Sequence, residues 1–264
     1  MTQRLKAAFE RTRSEKRPAL ITLVIPGYPS PTATDDVFDA MVEGGADVVE
    51  VEIPFSDPLA DGATIQNVVF EALEHGITPR DCMEFVRRAR SRHANTPIVF
   101  MTYLNPVMAY GVERFAKDAS AAGADAIILT DLPPEEASGA KAAFNAHGMD
   151  VIFLVAPTSS DERVKIICDN AGGFVYCVSV TGVTGARQEL PPGLNELLAR
   201  VRACTNLPLA VGFGMSRREH LVGLAGVADG VVVGSAVMDV IARSEPQESA
   251  KAVRDYVEVL SGRR

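Results

Sequence analysis

The sequence contains no run of apolar residues long enough to span a lipid bilayer, which argues against a membrane protein. The first sixteen residues are polar and rich in lysine, arginine and glutamate, without the apolar core of a secretory signal. Cysteine and histidine are scarce, with four of each, and neither shows the close spacing of zinc ligands. We therefore expect a cytoplasmic protein with reduced cysteines and no metal site.

A basic face, which a nucleic-acid partner would require, is also lacking, because the net charge is −8. Apolar residues make up 47% of the chain and charged residues 23%, as in soluble globular proteins with a large core. A length of 264 residues fits one barrel domain or two small domains.

Eight short runs of Val, Ile, Leu and Ala alternate with helical stretches along the chain. Each run is nearly continuous in apolar residues, as are strands that are buried on both faces. The runs are 20–25, 47–53, 97–103, 125–130, 150–155, 173–179, 207–212 and 229–234. This alternation predicts one α/β domain over residues 1–264, a (β/α)8 TIM barrel. A doubly wound sheet is the alternative, but it rarely needs so many evenly spaced units.

Several helix start signals lie between these runs. Thr78-Pro79 places proline at the first position of a helix that runs to about Arg92. Starts are also predicted at Ser160, at residues 133–136 (PPEE), and at 216–219 (SRRE), which fits a capping box. An extra N-terminal helix, about residues 2–16, precedes the first strand, and we expect it to cover the bottom of the barrel.

Carboxylates cluster around the end of the second run. Glu50 and Glu52 share one face of the strand, because side chains alternate, and Asp57 and Asp61 lie in the loop that follows. Carboxylates that face one apolar cavity suit acid–base chemistry, since burial raises one pKa while another group stays ionised. The alternative is that both glutamates point outward towards helix cations and that both aspartates shape turns.

Glycines follow the last three strands. Residues 179–187 (SVTGVTGAR) predict a mobile loop of small residues, and Gly214 and Gly234 follow the seventh and eighth runs. Glycines after strands 7 and 8, with Ser235 opening a short helix, predict a phosphate site because backbone amides can approach the anion closely. The alternative is that they are ordinary turn glycines.

The sequence lacks the residues that other reactions of barrel enzymes require. All six lysines fall in predicted helices, so none lies at a strand end where a Schiff base would form. No cluster of metal ligands and no dinucleotide-binding GxGxxG pattern after the first strand is present. The chemistry that these absences leave open is a carboxylate-driven reaction on a phosphorylated, largely apolar substrate.

The longer motifs resemble one family in order along essentially the whole chain. They are 55–66 (FSDPLADGATIQ), 101–106 (MTYLNP), 131–136 (DLPPEE), 156–159 (APTS), 179–185 (SVTGVTG), 212–214 (GFG) and 234–236 (GSA). Together they resemble tryptophan synthase α subunits. The resemblance implies retro-aldol cleavage of indole-3-glycerol phosphate to indole and glyceraldehyde 3-phosphate in tryptophan biosynthesis.

The same resemblance implies roles for particular residues. Glu50 is the expected catalytic acid/base and Asp61 the second catalytic carboxylate. The expected phosphate contacts are Gly185, Gly214, Gly234 and Ser235, and the expected indole pocket is Leu23, Met101, Ile128, Leu154, Tyr176 and Phe213. The lid loop carries Thr184, which contacts Asp61 on closure, and Arg187.

A partner is also implied: a β subunit, in a heterotetramer of two α and two β chains. Pyridoxal phosphate belongs to that subunit, and we expect no cofactor on this chain. The expected contacts are Pro54, Phe55, Asp57 and Asn105, on loops whose apolar residues Phe55, Leu59, Val107 and Met108 we expect to be exposed.

The chain departs from the family at several positions, of which Glu52 matters most. The family often has glycine there, and a carboxylate facing the cavity would raise the pKa of Glu50 or Asp61 by like-charge repulsion. Leu23 stands where an aromatic residue is common, and Tyr28 stands where the family has aspartate.

Three other functions stay open at this point. A related phosphate-binding isomerase or aldolase barrel would not need the FSDPLAD motif. An inactive barrel that only regulates a β partner would be expected to lack Glu50 or Asp61. A stand-alone indole-releasing lyase would carry out the same reaction and is not distinguished by sequence.

Overall fold

A closed barrel of eight parallel strands forms the centre of the protein, and β8 pairs with β1 to close it. The computed structural model describes residues 1–179, 193–212 and 214–264. The strands are β1 Ala19–Val24, β2 Val48–Glu52, β3 Ile98–Thr102, β4 Ala126–Leu129, β5 Asp150–Val155, β6 Val175–Val178, β7 Leu209–Gly212 and β8 Gly230–Val233. Each lies within or one residue from its predicted run, so the barrel prediction is confirmed.

Helices connect the strands around the outside. Those in the described residues are α1 Gln3–Ser14, α2 Thr34–Gly44, α3 Ala63–Glu74, α4 Pro79–Arg92, α5 Leu104–Tyr110, α6 Val112–Ala122, α7 Ser138–Ala146, α8 Asp161–Asn170, α9 Leu194–Arg202, α10 Arg218–Gly223, α11 Ser235–Ala242 and α12 Ser249–Ser261. No helix in these residues is long and apolar enough to cross a membrane.

Three of the four predicted helix starts are confirmed, although the one at 216–219 lacks its predicted capping box, and the start at 133–136 is wrong. Thr78 and Asp81 form a reciprocal capping box at α4, and the Ser160 side chain accepts a hydrogen bond from the Arg163 amide at α8. Residues 133–136 instead form successive turns, because the amides of 136 and 137 bond three residues back, and α7 starts only at 138. Residue 217, not 216, precedes α10, and it makes no side-chain cap.

The N-terminal helix closes the bottom of the barrel, as predicted. Leu5, Ala8 and Phe9 of α1 join the buried cluster formed by the inward-facing side chains of the strands. The Phe9 ring lies 5.8 Å from the ring of Phe174, just before β6. Among the described residues the barrel interior is therefore filled from below, and a cavity lies towards the C-terminal ends of the strands.

Ion pairs fasten α1 to the strand starts. Its arginines contact aspartates that precede β2, β4 and β8, with Arg11–Asp47 at 2.6 Å, Arg4–Asp125 at 2.9 Å and Arg13–Asp229 at 3.2 Å. The first two carboxylates are buried and also accept strand backbone N–H groups. The turns before β2 and β4, which share the sequence Gly-Ala-Asp at 45–47 and 123–125, thus supply acceptors that orient α1.

Candidate active site

A cavity of about 790 Å³, counting the open space at its mouth, lies at the C-terminal end of the barrel. Its described wall is largely apolar and contains two carboxylates, Glu50 and Asp61, but no lysine or arginine. The lining residues are Leu23, Glu50, Ala60, Asp61, Gly62, Thr64, Ile65, Met101, Ile128, Thr130, Leu154, Tyr176, Gly214, Met215, Val232, Gly234 and Ser235. The structure therefore brings most of the predicted site residues to one place.

Glu50 points into the barrel from the middle of β2 and is 1% exposed. Its Oε1 atom is buried without a hydrogen-bond partner. Burial raises the pKa of this carboxyl from its ordinary value near 4.5 to about 8. A carboxylic acid that remains protonated near neutral pH, with a free oxygen facing a cavity, can donate a proton to a bound molecule.

Asp61 reaches the same cavity from the loop after β2. The Tyr103 hydroxyl, at the end of β3, donates to Asp61 Oδ2 at 2.7 Å and accepts from the Ala60 amide at 2.9 Å. The Gln66 side chain donates to the Asp61 backbone carbonyl at 2.8 Å. Burial raises the pKa of Asp61 above its ordinary value, and hydrogen bonds from Tyr103 and Glu52 limit that rise. These contacts fix the loop and favour the anionic form of Asp61.

Glu52 also points into the barrel and is 2% exposed. Its side chain forms a hydrogen bond with Asp61, and its Oε2 atom is buried without a partner. Burial, with the nearby charges of Asp61 and Glu50, raises the pKa of Glu52 well above its ordinary value. The outward alternative for the two glutamates is therefore wrong, because Glu52 faces the interior. The like-charge effect expected of Glu52 is not found, since its hydrogen bond lowers the pKa of Asp61 and burial alone raises the pKa of Glu50.

Five of the six predicted indole-pocket residues line the apolar wall: Leu23, Met101, Ile128, Leu154 and Tyr176. The Tyr176 ring occupies space that only glycine leaves free, because a Cβ atom at Gly212 would lie 2.1 Å from the tyrosine hydroxyl oxygen. Phe213 lies outside the described residues, as do Thr184, Gly185 and Arg187.

Gly214, Gly234 and Ser235 line the cavity together, at the ends of β7 and β8. Helix α11 begins at Ser235, so its first backbone N–H groups lie at the cavity wall with the positive end of the helix dipole. Gly214 adopts a φ of 78°, which favours glycine. A helix N-terminus beside two glycines is a suitable anion site.

The loops after β2 and β3 carry the predicted partner contacts. Leu59 is 92% exposed and Met108 63%, and Asp57 and Asn105 are also exposed, in agreement with the predicted surface. Val107 is an exception to the expected exposure, because it is fully buried in the core of its own chain.

Two predicted contacts on the first of these loops have less free surface than expected. Pro54 is buried and offers little area to a partner. Phe55 is half-buried because its ring packs 5.4 Å from that of Tyr103.

Sequence reasoning assigned no role to Tyr103 or Gly212. Tyr103 could have been identified as a polar aromatic residue immediately after β3, opposite the aspartate-rich loop that follows β2. Gly212 could have been identified only from the close approach of Tyr176 across neighbouring strands, which no sequence pattern displays.

Comparisons with known proteins identify the family of the chain. The family model described as "Tryptophan synthase alpha chain" matches residues 9–262. The tryptophan synthase alpha chain of Roseiflexus castenholzii is 46% identical over 98% of this chain and 99% of its own length. That of Geobacter sulfurreducens is 44% identical over 97% of both chains. A structure of Mycobacterium tuberculosis tryptophan synthase superposes with a TM-score of 0.90 at 40% identity, covering 99% of this chain and 98% of its own. The chain belongs to the tryptophan synthase alpha chain family, the lyase component of tryptophan biosynthesis.

Proposed function

We propose that the chain cleaves indole-3-glycerol phosphate to indole and glyceraldehyde 3-phosphate at the cavity bounded by Glu50 and Asp61. The observation that carries the proposal is the pairing of two different carboxyl environments in one apolar cavity, which the N-terminus of α11 and two glycines also line. One group is buried and neutral, and the other accepts a hydroxyl hydrogen bond. In such a pair, one carboxyl group serves as the proton donor and the other as the anion that stabilises positive charge.

Glu50 acts as the acid and then as the base. Its carboxyl proton is transferred to C3 of the indole ring, which converts the ring to an indolenine cation. The bond from C3 to the adjacent glycerol carbon then breaks, and its electrons return to the ring. The hydroxyl on that carbon becomes the aldehyde and gives its proton to the Glu50 carboxylate, so the side chain is restored after each turnover.

Asp61 stabilises the cation. An aspartate anion at the cavity wall accepts a hydrogen bond from the indole N–H, and the attraction grows as positive charge develops on the ring. Tyr103 holds the anion in place at 2.7 Å, and the apolar surroundings keep the interaction strong. The reaction uses the side chains of the chain itself and no cofactor.

Gly214, Gly234 and Ser235 bind the substrate phosphate through backbone N–H groups at the start of α11. The apolar wall holds the indole ring, with Tyr176 supplying the largest flat surface. Phosphate at one end and indole at the other place the scissile bond next to Glu50.

The exposed apolar loops bind a β subunit, which forms a complex of two α and two β chains and carries pyridoxal phosphate. Leu59 and Met108 are costly to expose in water unless a partner covers them. Docking on the loop that carries Asp61 would order it for catalysis, so binding outside the cavity raises turnover inside it.

The activity is tested by following indole and glyceraldehyde 3-phosphate release from indole-3-glycerol phosphate, with and without a cognate β subunit. Stoichiometric release of both products supports the proposal. No cleavage under either condition would leave another phosphate-binding barrel reaction as the better account. Release that the β subunit neither binds nor accelerates would instead favour a stand-alone lyase.

The partner surface is tested with matched exposed residues. Leu59→Ser should weaken β binding and lower β-stimulated turnover relative to the rate of the α chain alone. Val222→Ser, at a 60% exposed position on α10, is the control and should leave both unchanged. Equal effects of the two substitutions would refute the proposed surface.

A further inference from the structure

Glu52 is a third carboxyl group, itself buried, in a site whose chemistry needs two. It lies at the end of β2, opposite Met101 of β3, and its side chain hydrogen-bonds to Asp61. A buried carboxyl adjacent to another is costly unless a proton lies between them. The mechanism proposed above assigns no task to this residue.

A single proton shared by the carboxyl groups of Glu52 and Asp61 removes the repulsion between them. A hydrogen bond between two carboxyl groups requires one of them to be protonated, because two carboxylates offer only acceptors. Asp61 already accepts the Tyr103 hydroxyl, and this contact stabilises its anion. Glu52 is fully buried, and its second oxygen receives no donor among the described residues. The proton therefore belongs on Glu52 and the negative charge on Asp61.

We propose that Glu52 is a positioning residue whose protonated carboxyl donates a hydrogen bond to Asp61 and, with Tyr103, holds that carboxylate as an anion facing the cavity. The proposal rests on the function assigned above to Asp61. Two donors, one at the end of β2 and one immediately after β3, fix both the ionisation and the orientation of the group that receives the indole N–H.

The groups around this pair supply no positive charge in the described part of the site. Glu50 lies two residues before Glu52 on the same face of β2. When Glu50 is charged, it raises the pKa of Glu52. Burial raises the pKa of Tyr103 and of Tyr176, so both hydroxyls stay neutral at the pH of interest. No cation lines the described cavity.

Loss of the Glu52 donor should shift the pH dependence of activity in one direction. Asp61 acts as an anion, so activity falls as pH drops through its pKa. Removing the Glu52 donor removes an interaction that lowers this pKa, and the acidic limb of the kcat/KM profile moves to higher pH. For each pH unit by which the acidic limb moves up, the kcat/KM measured on that limb falls about tenfold.

The test compares two substitutions of similar volume. E52Q retains an N–H donor without a proton to lose, and its acidic limb should stay where the wild type has it. E52L removes the donor, and its acidic limb should move up by about one pH unit, lowering kcat/KM about tenfold at low pH. Should E52L fail to fold by circular dichroism, the unbranched E52M replaces it.

A second readout is independent of the reaction. The carboxyl carbon of Asp61, labelled with ¹³C and assigned with D61N, is titrated by NMR in the ligand-free wild type, E52Q and E52L. Asp61 should ionise at higher pH in E52L than in the other two. Identical titrations for E52Q and E52L, or a wild type that carries the proton on Asp61, would overturn the inference. A wild type without lyase activity would defeat the proposed function, while the NMR titration would still decide the role of Glu52.

Discussion

Replacing Glu50 by glutamine should make the protein more stable at alkaline pH while it removes the catalytic acid. Glu50 is almost completely buried, and one of its oxygens has no hydrogen-bond partner. Ionisation in this position leaves a negative charge that neither water nor a donor solvates. Glutamine has nearly the same shape and cannot ionise, so E50Q keeps the packing and escapes that cost.

The magnitude follows from the difference between folded and unfolded pKa values. A carboxyl whose pKa rises on folding contributes stability that is complete below its unfolded pKa and is lost as pH rises through its folded pKa. For Glu50 this window extends from about 4.5 to about 8. The whole loss is about 5 kcal/mol, of which about 1 kcal/mol has occurred by pH 5 and about 4 kcal/mol by pH 8.

The assay is urea unfolding of wild type and E50Q at pH 5 and pH 8, followed by circular dichroism. The free energy of unfolding of E50Q relative to wild type should increase by about 3 kcal/mol between the two pH values. E245Q, at an exposed glutamate, is the control and should follow the wild type at both. Parallel pH dependence of wild type and E50Q would refute the claim that Glu50 is buried in its neutral form.

Three further substitutions test the fold and the cavity. Phe9→Ala should lower the free energy of unfolding by about 3–5 kcal/mol, because it opens a void against Phe174, and turnover of the folded fraction should persist. Asp47→Asn should cost about 2–3 kcal/mol of stability through lost charged hydrogen bonds at the barrel bottom, measured by urea unfolding. Gly212→Ala should reduce kcat/KM at least about tenfold in a folded protein, because the new methyl group displaces Tyr176, and unchanged kinetics would contradict the described cavity wall.

The barrel was predictable because its signals are local and repeated. Eight apolar runs at regular spacing define strands buried on both faces, and the capping residues Thr78 and Ser160 define helix starts. Residues 133–136 misled the prediction because acidic residues after proline also suit consecutive turns. The helix predicted from these residues begins only at Ser138.

The candidate site was predictable in its members and not in its contacts. Motif resemblance and position at strand ends identified Glu50, Asp61, Gly234 and Ser235 as neighbours of one cavity. The hydrogen bond from Tyr103 to Asp61 joins residues 42 apart in sequence, and periodicity carries no information about such a pair.

The ionisation of Glu52 likewise depends on barrel closure. Whether this side chain meets Asp61, solvent or a cation is decided by the three-dimensional interior, which no local pattern specifies. Its burial and its hydrogen bond with Asp61 became visible only in the folded chain.

The measurement that tests the central claim most directly is cleavage of indole-3-glycerol phosphate by wild type, E50Q and D61N in the presence of a β subunit. Circular dichroism and β binding show first that each variant is folded and assembled. Loss of Glu50 should remove the proton transfers, a contribution of about 10²–10⁴ in rate for general acid–base catalysis. Loss of the Asp61 charge should lower kcat by about 10²–10³, the range seen when one stabilising electrostatic contact is removed. Turnover of either folded, assembled variant at the wild-type rate would contradict the account.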